Sequence, residues 1–151
     1  MGLTWSEFSS AAPELAALGE QRFQSTGLCL LATLKADGWP RVSPCEFVFE
    51  DGELLLGMMW QSRKALDLLR DPRLSVHSTQ CDKNAEEGDF KLYGRARDIP
   101  DDGVDPTRPR PSHLFAVEVE SAAYISFTRA RVALHWDRQR GLRRLPHPAD
   151  R

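Results

Sequence analysis

What the chain has little of narrows its possibilities first. Its 151 residues include only three cysteines, Cys29, Cys45 and Cys81. They are widely spaced, odd in number and form no Cys-x-x-Cys pair, which excludes a disulfide framework and a zinc site of the usual spacing. Unpaired thiols of this kind point to a reducing cytoplasm. An excess of one charge is missing too: 20 Lys plus Arg against 22 Asp plus Glu leave a formal net charge of −2. Nothing global therefore draws the chain to nucleic acid or to an anionic membrane. No apolar run approaches the ~20 residues that cross a bilayer. The first residues show no basic stretch ahead of an apolar one, so no secretory signal is expected. There is no internal repeat, no low-complexity tract and no Gly-x-Gly-x-x-Gly turn for a dinucleotide. His77, His113, His135 and His147 are scattered, and no nucleophile–base constellation stands out.

What is present is an ordinary globular composition, 41% hydrophobic and 28% charged, of a length that fits one domain spanning residues 1–151. The most informative stretch is Met58-Met59-Trp60-Gln61-Ser62-Arg63-Lys64. An apolar strand over residues 53–59 runs into Ser62, a good N-cap for a helix over residues 63–70 that Asp71-Pro72 closes. The anomaly is charge. Arg63 and Lys64 occupy the first helical turn, where free N–H groups and the helix dipole already favour acids. With the Ser62 hydroxyl, that junction has the makings of a phosphate cradle. The alternative is a surface helix in which Arg63 pairs with Asp67 one turn on, a contact of about 0.2–0.5 kcal/mol.

Elsewhere the pattern is mainly strands. Residues 6–26 read as one helix, or two broken at Pro13, with Leu15, Leu18 and Phe23 on a loose apolar face. Strand-like runs follow at 28–34, 41–49, 53–59, 73–78, 90–96, 114–119, 123–127 and 132–136. Ala36-Asp37-Gly38 and Asp51-Gly52 supply tight turns, and Pro44 marks an edge or bulge position on the second strand. Residues 100–111, rich in Pro, Asp and Arg, read as an exposed loop, and residues 138–151 as a basic surface tail. Many short strands with few helices argue for a closed or nearly closed antiparallel barrel, which also removes most exposed edges.

That order of elements carries Ala32-Thr33-Leu34, Asp37-Gly38-x-Pro40, Val42-Ser43-Pro44, Asp51-Gly52, Ser62-Arg63-Lys64-Ala65 and Asp71-Pro72-Arg73. It resembles the pyridoxamine 5'-phosphate oxidase-like family over residues 28–137. The resemblance implies a mainly β fold with minor α: a six-stranded antiparallel split β-barrel of the FMN-binding type, with short flanking helices. It also implies a homodimer, with a flavin or deazaflavin in each of two grooves between the subunits. By the same resemblance Arg63 and Lys64, with Ser62 before them, hold the cofactor phosphate. Met58 and Met59 border the ring or its ribityl chain, and Val42 and Ser43 lie along the ring.

Two departures limit what is carried over. Oxidases of pyridoxamine phosphate carry a second-strand motif ending in a lysine that helps hold the substrate phosphate, whereas this strand reads Arg41-Val42-Ser43-Pro44-Cys45-Glu46. Their C-terminal arginine-and-histidine motif is also absent from Leu134-His135-Trp136-Asp137-Arg138-Gln139-Arg140-Gly141. Both argue against vitamin B6 oxidation.

The expected function is a flavin-dependent oxidoreductase that binds FMN at a dimer interface and moves hydride to or from a small conjugated substrate. A missing catalytic triad fits that chemistry, because a flavin ring performs it while the protein orients and tunes. The alternatives are a reductase using the deazaflavin coenzyme F-420, and a non-catalytic flavin- or haem-binding protein. One methionine of the Met58-Met59 pair is ordinary packing, since alternate strand residues face the core. Arg129, Arg131, Arg138, Arg140, Arg143 and Arg144 form a basic concentration. It reads as a solvated strand end and tail rather than a strip for an anionic deazaflavin tail. No metal site and no membrane or nucleic-acid partner is expected.

Overall fold

The computed structural model describes residues 2–80, 82–84, 86–101, 106–108, 111–128 and 131–150. Cys81, Arg129 and parts of the 100–111 loop lie outside the described residues. The chain opens with two helices, α1 (Trp5–Ala11) and α2 (Pro13–Thr26). Thr4 and Glu7 cap α1 reciprocally as a capping box. Pro13 breaks the helical run by standing at the first position of α2, where its missing N–H costs nothing. Gly27 ends α2 in the left-handed conformation at φ 76.

Six strands then close into a barrel: β1 (Cys29–Leu34), β2 (Pro40–Glu50), β3 (Glu53–Met59), β4 (Arg73–Ser78), β5 (Asp89–Asp98) and β6 (Ser112–Ile125). Their spatial order is β3-β2-β1-β4-β5-β6, and an antiparallel β3–β6 pairing seals it. The helix α3 (Arg63–Arg70) links β3 to β4, and β7 (Ala133–Asp137) and β8 (Gly141–Arg144) extend the sheet beyond β6. The core gathers Phe8, Phe23, Phe90 and Phe115 between α1, α2 and the barrel wall.

Two sequence readings are corrected here. The runs at 114–119 and 123–127 are one strand, β6, whose first half pairs with β3 and whose second half carries β7. A bulge opposite Tyr93/Gly94 lets it continue through Glu120. Gly94 is required there, because a Cβ would stand 1.9 Å from the Glu118 carbonyl oxygen. Residues 141–144, read as tail, form β8 in register with β7.

The site is positioned by how β2 is shared. Its first half, through Cys45, pairs with β1, while its pairing with β3 begins only at Glu46↔Gly57. β3 in turn continues past that point paired with β6, as Met58↔His113 and Met59↔Ser112. The two strands therefore diverge beyond Glu46 and Gly57, and the outer edge of residues 40–45 is left open.

Candidate functional site

A groove of about 330 Å³ fills that divergence. Its walls are Pro44, Cys45 and Glu46 from β2, Gly57, Met58 and Met59 from β3, and His113 and Leu114 from β6, with Lys64 and Arg108 at its margins. The volume is at the lower end for small-molecule sites.

β2 alternates strictly, with Arg41, Ser43, Cys45 and Phe47 turned inward and Val42, Pro44, Glu46 and Val48 outward. Lys64 Nζ donates to the Pro44 carbonyl at 2.7 Å, so that carbonyl points away from β1. Antiparallel alternation puts the N–H and C=O of Val42 on the same open edge. Val42 itself is 64% exposed. In β3 the alternation separates the methionines: Met58 belongs to the core, and Met59 is 79% exposed. Gly57, just before them, shares Met59's face, with nothing within 4 Å of where a Cβ would stand. A flat group can therefore lie directly over that backbone.

The turn into α3 holds a strained residue. Gln61 takes a positive φ of 60, and its N–H donates to His113 Nε2 at 3.2 Å. That bond assigns the His113 proton to Nδ1 when the ring is neutral. Trp60 stacks on His113 with centroids 4.4 Å apart and planes 10° from parallel. The stack meets the groove through His113.

Ser62 stands at the N-cap of α3 in extended conformation, as expected, but its side chain caps nothing. Its Oγ is buried and has no hydrogen-bond partner, and the same holds for Ser43 Oγ. No acid occupies the first turn. Arg63 is exposed and has no hydrogen-bond or ion-pair partner among the described residues. The expected Arg63–Asp67 alternative is thus not what forms. Asp67 is buried and accepts from Thr33 Oγ1 at 2.7 Å, Arg41 Nε at 2.7 Å and Arg70 Nη2 at 3.3 Å. Arg63 instead borders a second recess, of about 300 Å³, shared with Lys35, Arg41 and Arg70. The structure brings Met58, Met59 and Lys64 into one groove; Val42, Ser43, Ser62 and Arg63 flank it without lining it.

Cys29 and Cys45 face each other across β1 and β2, both buried as free thiols. Their hydrogen bond and burial push the Cys29 thiol up. The same bond holds Cys45 below its ordinary value against burial, with the Lys64 charge helping and Glu46 opposing. Glu46, Arg108 and His113 escaped the sequence reading as groove residues, since only strand closure and the 99–112 crossing bring them there. Trp136, on β7, is buried against Phe8. Most of the described basic cluster is paired: Arg143 with Asp137, Arg144 with Glu14, Arg131 with Asp150. Arg143 and Arg144 sit on β8, which pairs with β7 beside Ala123, about 36 Å along β6 from Ser112 at ~3.3 Å per residue.

Among the described residues no cluster suits a metal ion, and no helix is long and apolar enough to cross a membrane. A family model, pyridoxamine 5'-phosphate oxidase, matches residues 17–138. No curated protein sequence matches the chain. Among solved structures, PhzG from Burkholderia lata 383, in complex with tetrahydrophenazine-1-carboxylic acid, is similar at TM-score 0.67 and 13% identity, covering 91% of this chain and 93% of that one. HutZ, the haem storage protein of Vibrio cholerae, is similar at TM-score 0.57 and 18% identity, covering 70% and 90%. An F420 reductase is similar at TM-score 0.51 and 17% identity, covering 63% and 87%. At such identities the likeness is one of fold.

Proposed function

The chain belongs to the pyridoxamine 5'-phosphate oxidase family, and on that premise we propose that it is a flavin-dependent oxidoreductase that binds FMN in a homodimer. The carrying observation is the unfinished start of α3: a buried Ser62 Oγ without a partner, beside an unpaired Arg63 and an N-terminus with no side-chain cap. A phosphate completes all three at once. Lys64 lies on the groove side of that turn and Arg63 on the side of the second recess; on this reading both cations turn to the phosphate.

The open edge at Val42 and Pro44 and the bare backbone at Gly57 would hold the ring. The N–H of Val42 is a donor for it, and Met59 and the Trp60–His113 stack shield its face. When bound, FMN supplies hydride transfer. The protein's part is to hold the phosphate, keep water from the ring and present the substrate beside it. The apolar edge of Trp39, Val42, Met59 and Trp60, all at least half exposed, is the surface a second copy covers.

A deazaflavin is the second reading, favoured by the likeness to an F420 reductase. FMN is preferred because the arginines suited to an anionic tail are paired with acids at the far end of β6. A small conjugated molecule is the substrate class. The test is titration of apoprotein with FMN and with coenzyme F-420, followed by Trp fluorescence. FMN should bind, and Arg63→Ala or Lys64→Ala should each weaken it roughly tenfold or more, the worth of one charge-assisted contact. Unchanged affinity in both variants refutes the phosphate site. Binding of the deazaflavin without FMN reverses the choice.

A further inference from the structure

Cys29 and Cys45 are thiols that the cofactor reading leaves unused. They stand opposite each other in register across β1 and β2, on the inward side of both strands. Pro44, beside Cys45 and opposite Leu30, has no N–H to give to β1. Leu30 and Pro44 are therefore a pair without ladder hydrogen bonds, and alternation makes Cys29 and Cys45 a hydrogen-bonded pair. Such opposed residues have Cα atoms ~5.5 Å apart. That lies inside the span of about 4.4–6.8 Å that a disulfide bridges. Joining the two thiols asks for side-chain rotation and little movement of the backbone.

The two thiols differ in reach. Cys29 is enclosed in the core, its Sγ donating to the Cys45 carbonyl at 3.4 Å. Cys45 is 2% exposed and lines the groove wall between Pro44 and Glu46. Its Sγ also reaches the Gly57 carbonyl at 3.7 Å, beside the last β2–β3 pair before the strands separate. The bond between the thiols lowers the Cys45 pKa, with the Lys64 charge adding to it, while that bond and burial push Cys29 up. One thiol that a small reagent can meet as thiolate, backed by a second that stays protonated, makes an attacking and a resolving cysteine.

We propose that Cys29 and Cys45 are a reversible dithiol–disulfide site, oxidised by a hydroperoxide, whose state is felt in the groove. The Cys45 thiolate attacks the peroxide: an S–O bond forms, the O–O bond breaks, and the departing oxygen takes up the proton that Cys45 gave up and leaves as water. Cys29 Sγ then attacks Cys45 Sγ. The S–S bond forms, the S–O bond breaks, and the Cys29 proton leaves with the hydroxyl as a second water. Two thiols lose two electrons in all, and one peroxide gains them. The new bond draws Cys45 Sγ from the Gly57 carbonyl and turns the residue next to Pro44, whose carbonyl holds Lys64. Weaker cofactor binding in the oxidised form follows, and that consequence rests on the groove being the flavin site.

The test treats the wild-type chain, free of flavin, with hydrogen peroxide, then unfolds it and blocks the remaining thiols with iodoacetamide. Trypsin leaves the three cysteines on separate peptides, 23–35, 42–63 and 74–83. The expected product is a linked 23–35/42–63 species that dithiothreitol separates. Cys45 carried to sulfinic acid while Cys29 stays a thiol, a link made through Cys81 instead, or both thiols still open to blocking overturns the site. Cys29→Ser should leave Cys45 to over-oxidise; should that variant fail to fold, the wild-type peptides decide alone. FMN is then titrated into the reduced and the oxidised protein. The oxidised form should bind it roughly tenfold more weakly, the worth of one charge-assisted contact, and recover on reduction. Equal affinity overturns the coupling to the groove. If the link forms and FMN binds neither form, the dithiol site stands and the flavin reading falls.

Discussion

Replacing Asp67 by asparagine removes one charge from the middle of α3 without changing the shape of the side chain. Asp67 is 3% exposed and holds three partners: Thr33 on β1, Arg41 on β2 and Arg70 on its own helix. It is the clasp between α3 and the barrel, and so it sets where Arg63 and Lys64 stand. Losing one partner of a fully buried ion pair costs about 3–5 kcal/mol. Here Arg41 and Arg70 have side chains 28% and 43% exposed, so both regain water when the carboxylate goes. Asparagine still accepts one hydrogen bond. We therefore expect a loss of about 2–3 kcal/mol, which for a chain of this size lowers Tm by roughly 4–12 °C.

The same variant carries a pH signature. Burial works to raise the Asp67 pKa, but hydrogen bonds from Arg41, Thr33 and Arg70 outweigh it and hold the carboxyl below the ordinary range. A group with a depressed native pKa stabilises the fold above its unfolded value of about 3.9, and that contribution fades as pH falls through the native value. The Tm gap between wild type and Asp67→Asn should be full near about pH 7 and narrow below about pH 4. Denaturation scans across that range measure it. A gap under roughly 2 °C at neutral pH, or one that does not narrow in acid, refutes the clasp.

Light scattering at micromolar concentration should report about twice the 17.1 kDa chain mass. Met59→Glu, placing a charge at a residue 79% exposed on the proposed shared face, should shift the protein toward monomer. A monomeric wild type refutes the shared face. Thiol chemistry gives a separate check. Cys45, held below its ordinary pKa at the groove floor, should alkylate before Cys29, whose thiol is pushed up behind it. Bound FMN should slow that reaction, and Cys29 labelling first, by peptide mass, would count against the assignment.

Local signals account for the elements that the sequence reveals cleanly. Asp51-Gly52, Ser62 and Asp71-Pro72 punctuate the chain: β3 starts after the first, α3 runs from the second to the third, and β4 starts after the third. β6 was hidden because Ser121 and Ala122 look like a break, while the device that carries the strand through lies on β5 at Gly94. β8 was hidden because its arginines read as solvated tail. Its order comes from β7, to which Leu142 and Arg143 are registered. In both cases the deciding contact is on another strand, which periodicity along one segment cannot report.

The site divides along the same line. Ser62-Arg63-Lys64 is legible because helix-terminus electrostatics is local, yet its geometry is not a simple pair. Adjacent helical residues point about 100° apart, and so Arg63 and Lys64 open onto two recesses rather than one. The i,i+4 pairing of Arg63 with Asp67 loses because a buried carboxylate is better served by Thr33 and Arg41 than by an exposed arginine. Glu46, Arg108 and His113 carry no local signature at all. The comparison that decides how α3 is read lies within the molecule. The chain caps the seven-residue α1 with Thr4 and Glu7 on opposite sides of the same hydrogen-bonded box. It gives α3 a serine in the capping position, buries that hydroxyl, and bonds it to nothing. A weak cap at a solvated terminus would be satisfied by water, whereas a buried one lacks that recourse and costs the fold stability until a ligand fills it. That cost, beside two cations in the first turn, supports an anion as the missing partner.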